Sequence, residues 1–183
     1  QQQRYRTAMT EGADRIALAS EAAPITIGHR NTEDRLESSV VVRTPVALAT
    51  DRSGSAVAAM TEDGVLTVWM PDTGVETRLD TETSGWDEQL AFAPDGSHLV
   101  AARNTTAGAI LHIWDTDSFG HRTVDLGATL YSVAISSDSS AVAAGTYGDT
   151  AWVGDFQTPT VFTMELAHTR AVEAVALSSD GVL

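Results

Sequence analysis

The sequence predicts an all-β protein made of repeated, four-stranded antiparallel sheets. The main observation is a strand-turn-strand pattern that recurs along the chain. It begins at Val46 (VALATDRSGSAVAAM), Leu90 (LAFAPDGSHLVAA), Val133 (VAISSDSSAVAAG) and Val175 (VALSSDGVL). These starts lie 44, 43 and 42 residues apart. A nearly constant period of this length predicts a repeat architecture.

Each repeat continues with a third and a fourth strand. After the second strand comes a polar turn, TEDG, NTTAG or TYGD, whose residues tolerate left-handed backbone. The third strand is VLTVWM, AILHIWD or TAWVGD, and the fourth is VETRL, RTVDL or VFTMEL. Four short strands separated by turns predict an antiparallel meander. GADRIALAS and APITIGHR fit the same pattern and indicate most of one earlier repeat.

The repeats divide the chain into blocks. We expect four-stranded units at about residues 1–40, 41–82, 83–126 and 127–168, and the opening strand of a further unit at 169–183. A single unit exposes apolar area on both faces of its sheet, and stacking on neighbours buries that area. Three arrangements therefore stay open: part of a larger ring, two copies joined into one ring, or four units that close alone. We expect the first of these.

The repeats resemble those of the WD-repeat β-propeller family, in which the third strand ends on Trp-Asp and a Gly-His pair precedes the first strand. The pair Trp114-Asp115 is complete, whereas Trp69 lacks the aspartate. The next copy has Gly154-Asp155 and carries its tryptophan at Trp152. Ala167-His168 stands at the Gly-His position. The resemblance implies a β-propeller of which about four blades are present, and a bacterial or archaeal source.

Composition argues against several classes of protein. The 43% hydrophobic and 20% charged fractions are those of a folded protein, and the lack of cysteine excludes disulfides and thiolate sites. The net charge is −14, from 25 acidic residues and 11 basic ones that are all arginine. Such a negative field repels nucleic acid. No apolar run approaches the ~20 residues of a membrane helix and no export-type leader is visible, so we expect a cytoplasmic protein without membrane contact.

The resemblance also implies where a partner binds. In the family, the turn after each second strand and the links between blades share one face, which is the usual partner surface. One position, two residues before each repeat start, would line the mouth of the central channel. Trp86 lies in a polar link and is the best aromatic anchor. The candidate partner-binding residues are Thr44, Trp86, Glu88, Tyr131, Tyr147, Arg170 and Glu173.

No motif predicts catalysis, a cofactor or a metal. No two of the five histidines have a spacing that would place them on one face as ligands, and His112 and His168 are expected to be structural. The Asp-Gly pairs at 63, 95 and 180 predict turns rather than calcium loops. Trp69, Trp114 and Trp152 fall in strands and predict packing between sheets.

We therefore expect a non-catalytic scaffold or sensor module. Its partners would be other proteins or further domains of the same polypeptide, with self-association through open propeller ends. The alternative is a propeller hydrolase or lactonase with a metal or acid-base site in the central channel. Thr44, Glu88, Tyr131 and Glu173 would be a poor ligand set for that chemistry.

Overall fold

The computed structural model describes residues 5–10, 14–81, 85–147, 150–156, 161–165 and 170–178. The chain divides into two compact units, Gln1–Gly85 and Trp86–Leu183. Each unit contains two four-stranded antiparallel sheets, in which strands that are consecutive in sequence lie side by side. The predicted fold class is confirmed: the described chain forms four sheets, each a simple meander.

The first unit holds strands β1 to β8. The first sheet is complete, because β1 supplies the strand that the sequence pattern leaves undefined. Its strands are β1 Tyr5–Met9, β2 Arg15–Ser20, β3 Ala23–His29 and β4 Arg35–Val42. Those of the second sheet are β5 Pro45–Thr50, β6 Val57–Thr61, β7 Val65–Met70 and β8 Val75–Asp80.

The second unit holds strands β9 to β16. The third sheet consists of β9 Trp86–Phe92, β10 His98–Thr105, β11 Gly108–Asp115 and β12 His121–Asp125. The fourth consists of β13 Leu130–Ile135, β14 Ala141–Thr146, β15 Thr150–Asp155 and β16 Val161–Glu165. Residues 170–178, within the predicted opening strand 169–183, are not in a strand, and the rest of that segment lies outside the described residues.

Small and branched apolar residues form the core of each unit. In the first unit, Ile25, Ile27, Val57 and Trp69 are buried in one cluster that joins its two sheets. In the second, the corresponding cluster runs from Val100, Leu111 and Ile113 to Val142 and Trp152, among others. The second strands are rich in alanine, and such small side chains let the backbones of packed sheets approach closely. The prediction that Trp69, Trp114 and Trp152 are packing residues is confirmed, since all three are buried.

Polar contacts add to the packing between the two sheets of the first unit. Arg15 Nη1 donates to Gly54 O at 2.8 Å, and its Nη2 lies 3.2 Å from Asp72 Oδ1. The Glu76 carboxylate accepts hydrogen bonds from the backbone N and the hydroxyl of Ser39. The Ser39–Glu76 contacts thus join the outer strands β4 and β8 of the two sheets.

Candidate functional site

Three exposed aromatic side chains set the surface of the second unit apart. Trp86 is 46% exposed, Tyr131 45% and Tyr147 67%. Among the described residues of 86–178, they are the large apolar side chains that remain exposed. All three belong to the predicted partner-binding residues. We call them the aromatic patch.

Strand geometry places Trp86 and Tyr131 at the starts of the inner strands. Trp86 is the first residue of β9 and lies opposite Asn104 of β10, and the register then shifts around Asp87, which has a φ of 52°. In β13 the register shifts in the same way at Tyr131. A β-bulge re-aims the side chain of the extra residue, which here exposes the Tyr131 ring. Trp86 and Glu88 are therefore strand residues, whereas the sequence predicts a link at 84–88.

A buried amide connects the two strand starts. Asn104 is fully buried; its Nδ2 donates to Leu130 O at 3.0 Å and its Oδ1 accepts from Leu130 N at 2.7 Å. Because Asn104 lies opposite Trp86 and Leu130 precedes Tyr131, this pair of hydrogen bonds brings both aromatic residues to one end of the unit. A buried amide that satisfies two backbone groups is costly to remove.

Tyr147 joins the patch from the end of β14. Its backbone N donates to Thr129 O at 2.6 Å, which ties it to the link before β13. The ring centroids of Tyr131 and Tyr147 lie 6.3 Å apart with an interplanar angle of 44°. The two rings thus form an open V rather than a closed stack.

Residues 170–178 pass beside the same end. Val172 N donates to Thr146 O at 3.0 Å, and Val175 N donates to Ser132 Oγ at 3.1 Å. A Cβ atom on Gly145 would lie only 2.5 Å from Val172 O, so glycine is required for this approach. Arg170 and Glu173 flank Val172 and are exposed. The structure therefore brings these two predicted residues to the aromatic patch.

Glu88 lies in a buried ion pair rather than on an open channel mouth. Its Oε1 is 2.8 Å from Arg103 Nη2, and the two side chains are 10% and 0% exposed. Removing either partner would leave an uncompensated buried charge. The sequence gives no signal for the role of Arg103, because a single arginine inside the strand HLVAARNT belongs to no recognisable motif. Arg103 lies opposite Glu88 because the pairing of β9 with β10 shifts by one residue at this point.

Thr44 belongs to the first unit. It precedes β5 with a φ of 44°, and its carbonyl accepts a hydrogen bond from Glu62 N at 3.2 Å. It also lines a cavity of about 410 Å³ with Val40, Val41 and Arg78. The channel mouth that would join Thr44 to the candidates of the second unit stays a prediction.

The turns and links that the resemblance places on one face do meet within each unit. Thr81 N donates to Gly64 O at 3.2 Å in the first unit, and Ala109 N donates to Ala128 O at 2.9 Å in the second. The first bond joins the turn after β6 to the link that follows the second sheet, and the second joins the start of β11, directly after its turn, to the link that follows the third sheet. The part of these loops at Ser84, Gly148, Asp149 and His168 lies outside the described residues.

Two histidines stack on one face, a contact that their spacing in the sequence does not predict: His112 is buried and His121 is exposed. His112 Nδ1 lies 3.1 Å from His121 Nε2, and the Trp114 ring stacks on His121 at 4.7 Å between centroids. The β11–β12 hairpin explains the contact, because it pairs Trp114 with His121 and leaves His112 two residues along the same face. The turn TDSFG between these strands was the signal that could have predicted it.

The predicted aspartate turns are confirmed at Asp63 and Asp95. A hydrogen bond from the Thr61 hydroxyl holds the pKa of Asp63 below its usual value. Burial raises the pKa of Asp95, but hydrogen bonds from Ser97 and Ser139 outweigh burial and lower it. Among the described residues, no three histidine, aspartate or glutamate side chains are grouped so as to hold a metal ion. Nor do those residues form a helix able to cross a membrane.

Comparison with known proteins gives similarity in sequence and in fold. No family model matches the chain. It is 25% identical over 138 residues to the WD repeat-containing protein SL1-17 of Schistosoma mansoni, which covers 75% of this chain and 45% of that protein. The chain thus spans about half the length of its curated relative.

Two solved structures show the same fold. The β-propeller domain of Cps50 (Swd1) from Myceliophteria thermophila matches with a TM-score of 0.70 and 12% identity, over 96% of this chain and 59% of that one. Kuenenia stuttgartiensis hydrazine synthase matches with a TM-score of 0.64 and 17% identity, over 91% and 48%. With the repeat pattern and the four-stranded sheets, these similarities support a β-propeller fold for the chain and a likeness to WD-repeat proteins.

Proposed function

We propose that the chain is a non-catalytic interaction module that binds a protein partner, or another domain of its own polypeptide, through the aromatic patch. The WD-repeat and β-propeller similarities fit a protein-interaction scaffold in general. The observation that carries the proposal is the grouping of Trp86, Tyr131 and Tyr147, exposed at one end of a unit whose other large apolar side chains are buried or partly buried where described. Exposed aromatic clusters of this kind mark binding surfaces.

The buried contacts that fix the position of the aromatic patch also favour binding. Asn104 clamps the two strand starts, and the buried pair of Glu88 and Arg103 holds the bulge next to Trp86. Side chains that are fixed before binding lose less conformational freedom on association, so more of the contact energy appears as affinity. The alternative, an acid-base or metal-dependent hydrolase, would need Glu88 free to act, and its carboxylate is engaged by Arg103.

Site-specific photocrosslinking in the source cells tests the proposal. A photoreactive phenylalanine analogue at Tyr147 should crosslink a discrete partner, identified by mass spectrometry. The same analogue at Asp117, which is exposed in the turn at the opposite end of the third sheet, serves as control. Equal crosslinking at both positions, or none at Tyr147, would contradict the proposal.

Replacing Trp86 separates binding from folding. Trp86→Ala should weaken binding of the partner recovered above by about 2 kcal/mol, as at an aromatic hot spot, with little change in Tm. Trp69→Ala, in the buried core, should lower Tm strongly and serves as the comparison. A fall of many degrees in the Tm of Trp86→Ala with unchanged affinity would place Trp86 in the core instead.

A further inference from the structure

We propose that the cleft between the rings of Tyr131 and Tyr147 binds a cationic side chain, an arginine or lysine carried by a basic segment of the partner. This inference rests on the proposed function and specifies the chemistry that the aromatic patch recognises. It is drawn from the geometry of the two rings and from the charges around them.

The two rings lie beside each other, and both residues are exposed. Their centroids lie 6.3 Å apart at 44°, and the residues are 45% and 67% exposed. A guanidinium or ammonium group is attracted to the face of a tyrosine ring within about 6 Å of its centroid. A V of two rings at this spacing allows one cation to contact both faces.

The charges near the cleft favour a cation over an anion. Arg103 is neutralised by Glu88, so it contributes no free positive charge. Asp87 and Glu173 are exposed carboxylates at this end, and Arg170 is the exposed cation beside them. The whole chain carries a net charge of −14. This field concentrates basic segments at the surface and repels acidic ones.

Backbone contacts fix the positions of both tyrosines. The β13 bulge presents Tyr131, and the bond from Tyr147 N to Thr129 O anchors the second ring. The segment at Val172 packs on Gly145 beneath them. Binding a cation therefore requires no rearrangement of strands, and the side chain enters a preformed site.

Nuclear magnetic resonance of the chain labelled with [13C]tyrosine tests the inference directly. The chain has three tyrosines, Tyr5, Tyr131 and Tyr147, so the spectrum is simple and Tyr5 reports non-specific effects. The probes are two matched peptides, acetyl-Gly-Gly-Arg-Gly-Gly-amide and its neutral isostere with citrulline in place of arginine. We expect the arginine peptide to shift the Tyr131 and Tyr147 signals and to bind about fivefold more tightly than the citrulline peptide.

Variants link the shift to the proposed contacts. Tyr131→Leu with Tyr147→Leu should abolish the preference for arginine, whereas Tyr131→Phe with Tyr147→Phe should retain it because the ring faces remain. Glu173→Gln should weaken binding of the arginine peptide, and Arg170→Gln should strengthen it. Added salt should reduce the preference. Equal affinities for the two peptides, or a preference that survives in the leucine variant, would overturn the inference.

The two proposals fail in distinguishable ways. If photocrosslinking at Tyr147 captures a partner but the arginine preference is missing, the surface binds protein by other chemistry and only this inference falls. If the arginine preference is present and is lost in the leucine variant, the inference stands. If neither crosslink nor preference is found, both proposals fall.

Discussion

In the fourth sheet, Gly154 stands at the position that Trp69 and Trp114 occupy in the second and third sheets. The tryptophan lies two residues earlier, at Trp152, so it keeps the same face of β15. A Cβ atom on Gly154 would lie 2.7 Å or less from carbon atoms of the Trp152 ring. The ring thus fills the space above the glycine, and the sheet retains a buried tryptophan without the usual Trp-Asp pair.

This packing makes Gly154 sensitive to a single methyl group. Gly154→Ala should lower the free energy of unfolding by about 1–3 kcal/mol, because the methyl group overlaps the buried Trp152 ring. Chemical denaturation measures the effect. Gly120→Ala is the matched control, since its Cβ would meet only the Ser118 hydroxyl at 3.2 Å. Equal stability of the two variants would show that the ring moves freely.

The segment 170–178 forms no strand of its own, and its position depends on contacts with the fourth sheet. It is held to the fourth sheet by hydrogen bonds from Val172 and Val175 and by the close approach to Gly145. A side chain at Gly145 would push the segment off β14. Since Arg170 and Glu173 flank Val172, their position near the aromatic patch follows from that one glycine.

Limited trypsin digestion tests the role of Gly145. In Gly145→Ala, cleavage after Arg170 should be faster, because the displaced segment is more accessible. Cleavage after Arg52, exposed in a turn of the first unit, reports global unfolding and should not change. An unchanged rate after Arg170 would mean that the segment does not depend on this contact.

The hairpin turns are stabilised by hydrogen bonds between aspartate carboxylates and serine hydroxyl groups. Hydrogen bonds from Ser118 hold the pKa of Asp115 below its usual value of 3.8. Hydrogen bonds from Ser136 and Ser140 do the same for Asp138. A carboxyl whose pKa is lowered by folding stabilises the protein above its unfolded pKa and loses that contribution as the pH falls through the folded pKa.

The chain should therefore lose stability in acid, below about pH 4. Urea unfolding at a series of pH values from 7 to 3 should show a falling midpoint. Asp138→Asn should flatten part of this dependence, because the amide does not titrate. A midpoint that rises between pH 4 and 3 would contradict the argument.

At the scale of the whole molecule, exposed apolar residues on a sheet face favour association. Met9 is 62% exposed and Leu18 is 45% exposed. Both lie on the face of the first sheet opposite to the one that carries Ala17 and Ile27 into the core. Exposed apolar groups on a regular sheet face are an association surface.

We therefore expect the isolated chain to self-associate. Light scattering should give a mass above that of the 19.3 kDa chain, and Leu18→Glu should lower the measured mass. Val75→Glu, which replaces another exposed apolar residue at the edge of the second sheet, should have little effect. A sharp monomer peak with one cooperative unfolding transition for the unmodified chain would contradict the expectation.

The repeat period, the turn chemistry and the strand pattern were sufficient to predict the all-β sheets, the aspartate turns and the exposed aromatic residues. These features are local: alternation and turn residues act within a few positions of one another. The predicted third strands at VLTVWM and TAWVGD match β7 and β15 residue for residue. Trp86, Tyr131 and Tyr147 were selected because the resemblance to WD-repeat propellers implies that their links and turns share one face.

Contacts across strands required the tertiary structure. Glu88 meets Arg103 because a bulge shifts the register of β9, and His121 meets His112 because a hairpin pairs their strands. Asn104 reaches Leu130, 26 residues away, and this contact gathers the aromatic patch at one end. Such encounters depend on register and on the packing of separate sheets, and neither is encoded in the spacing of residues along a single repeat.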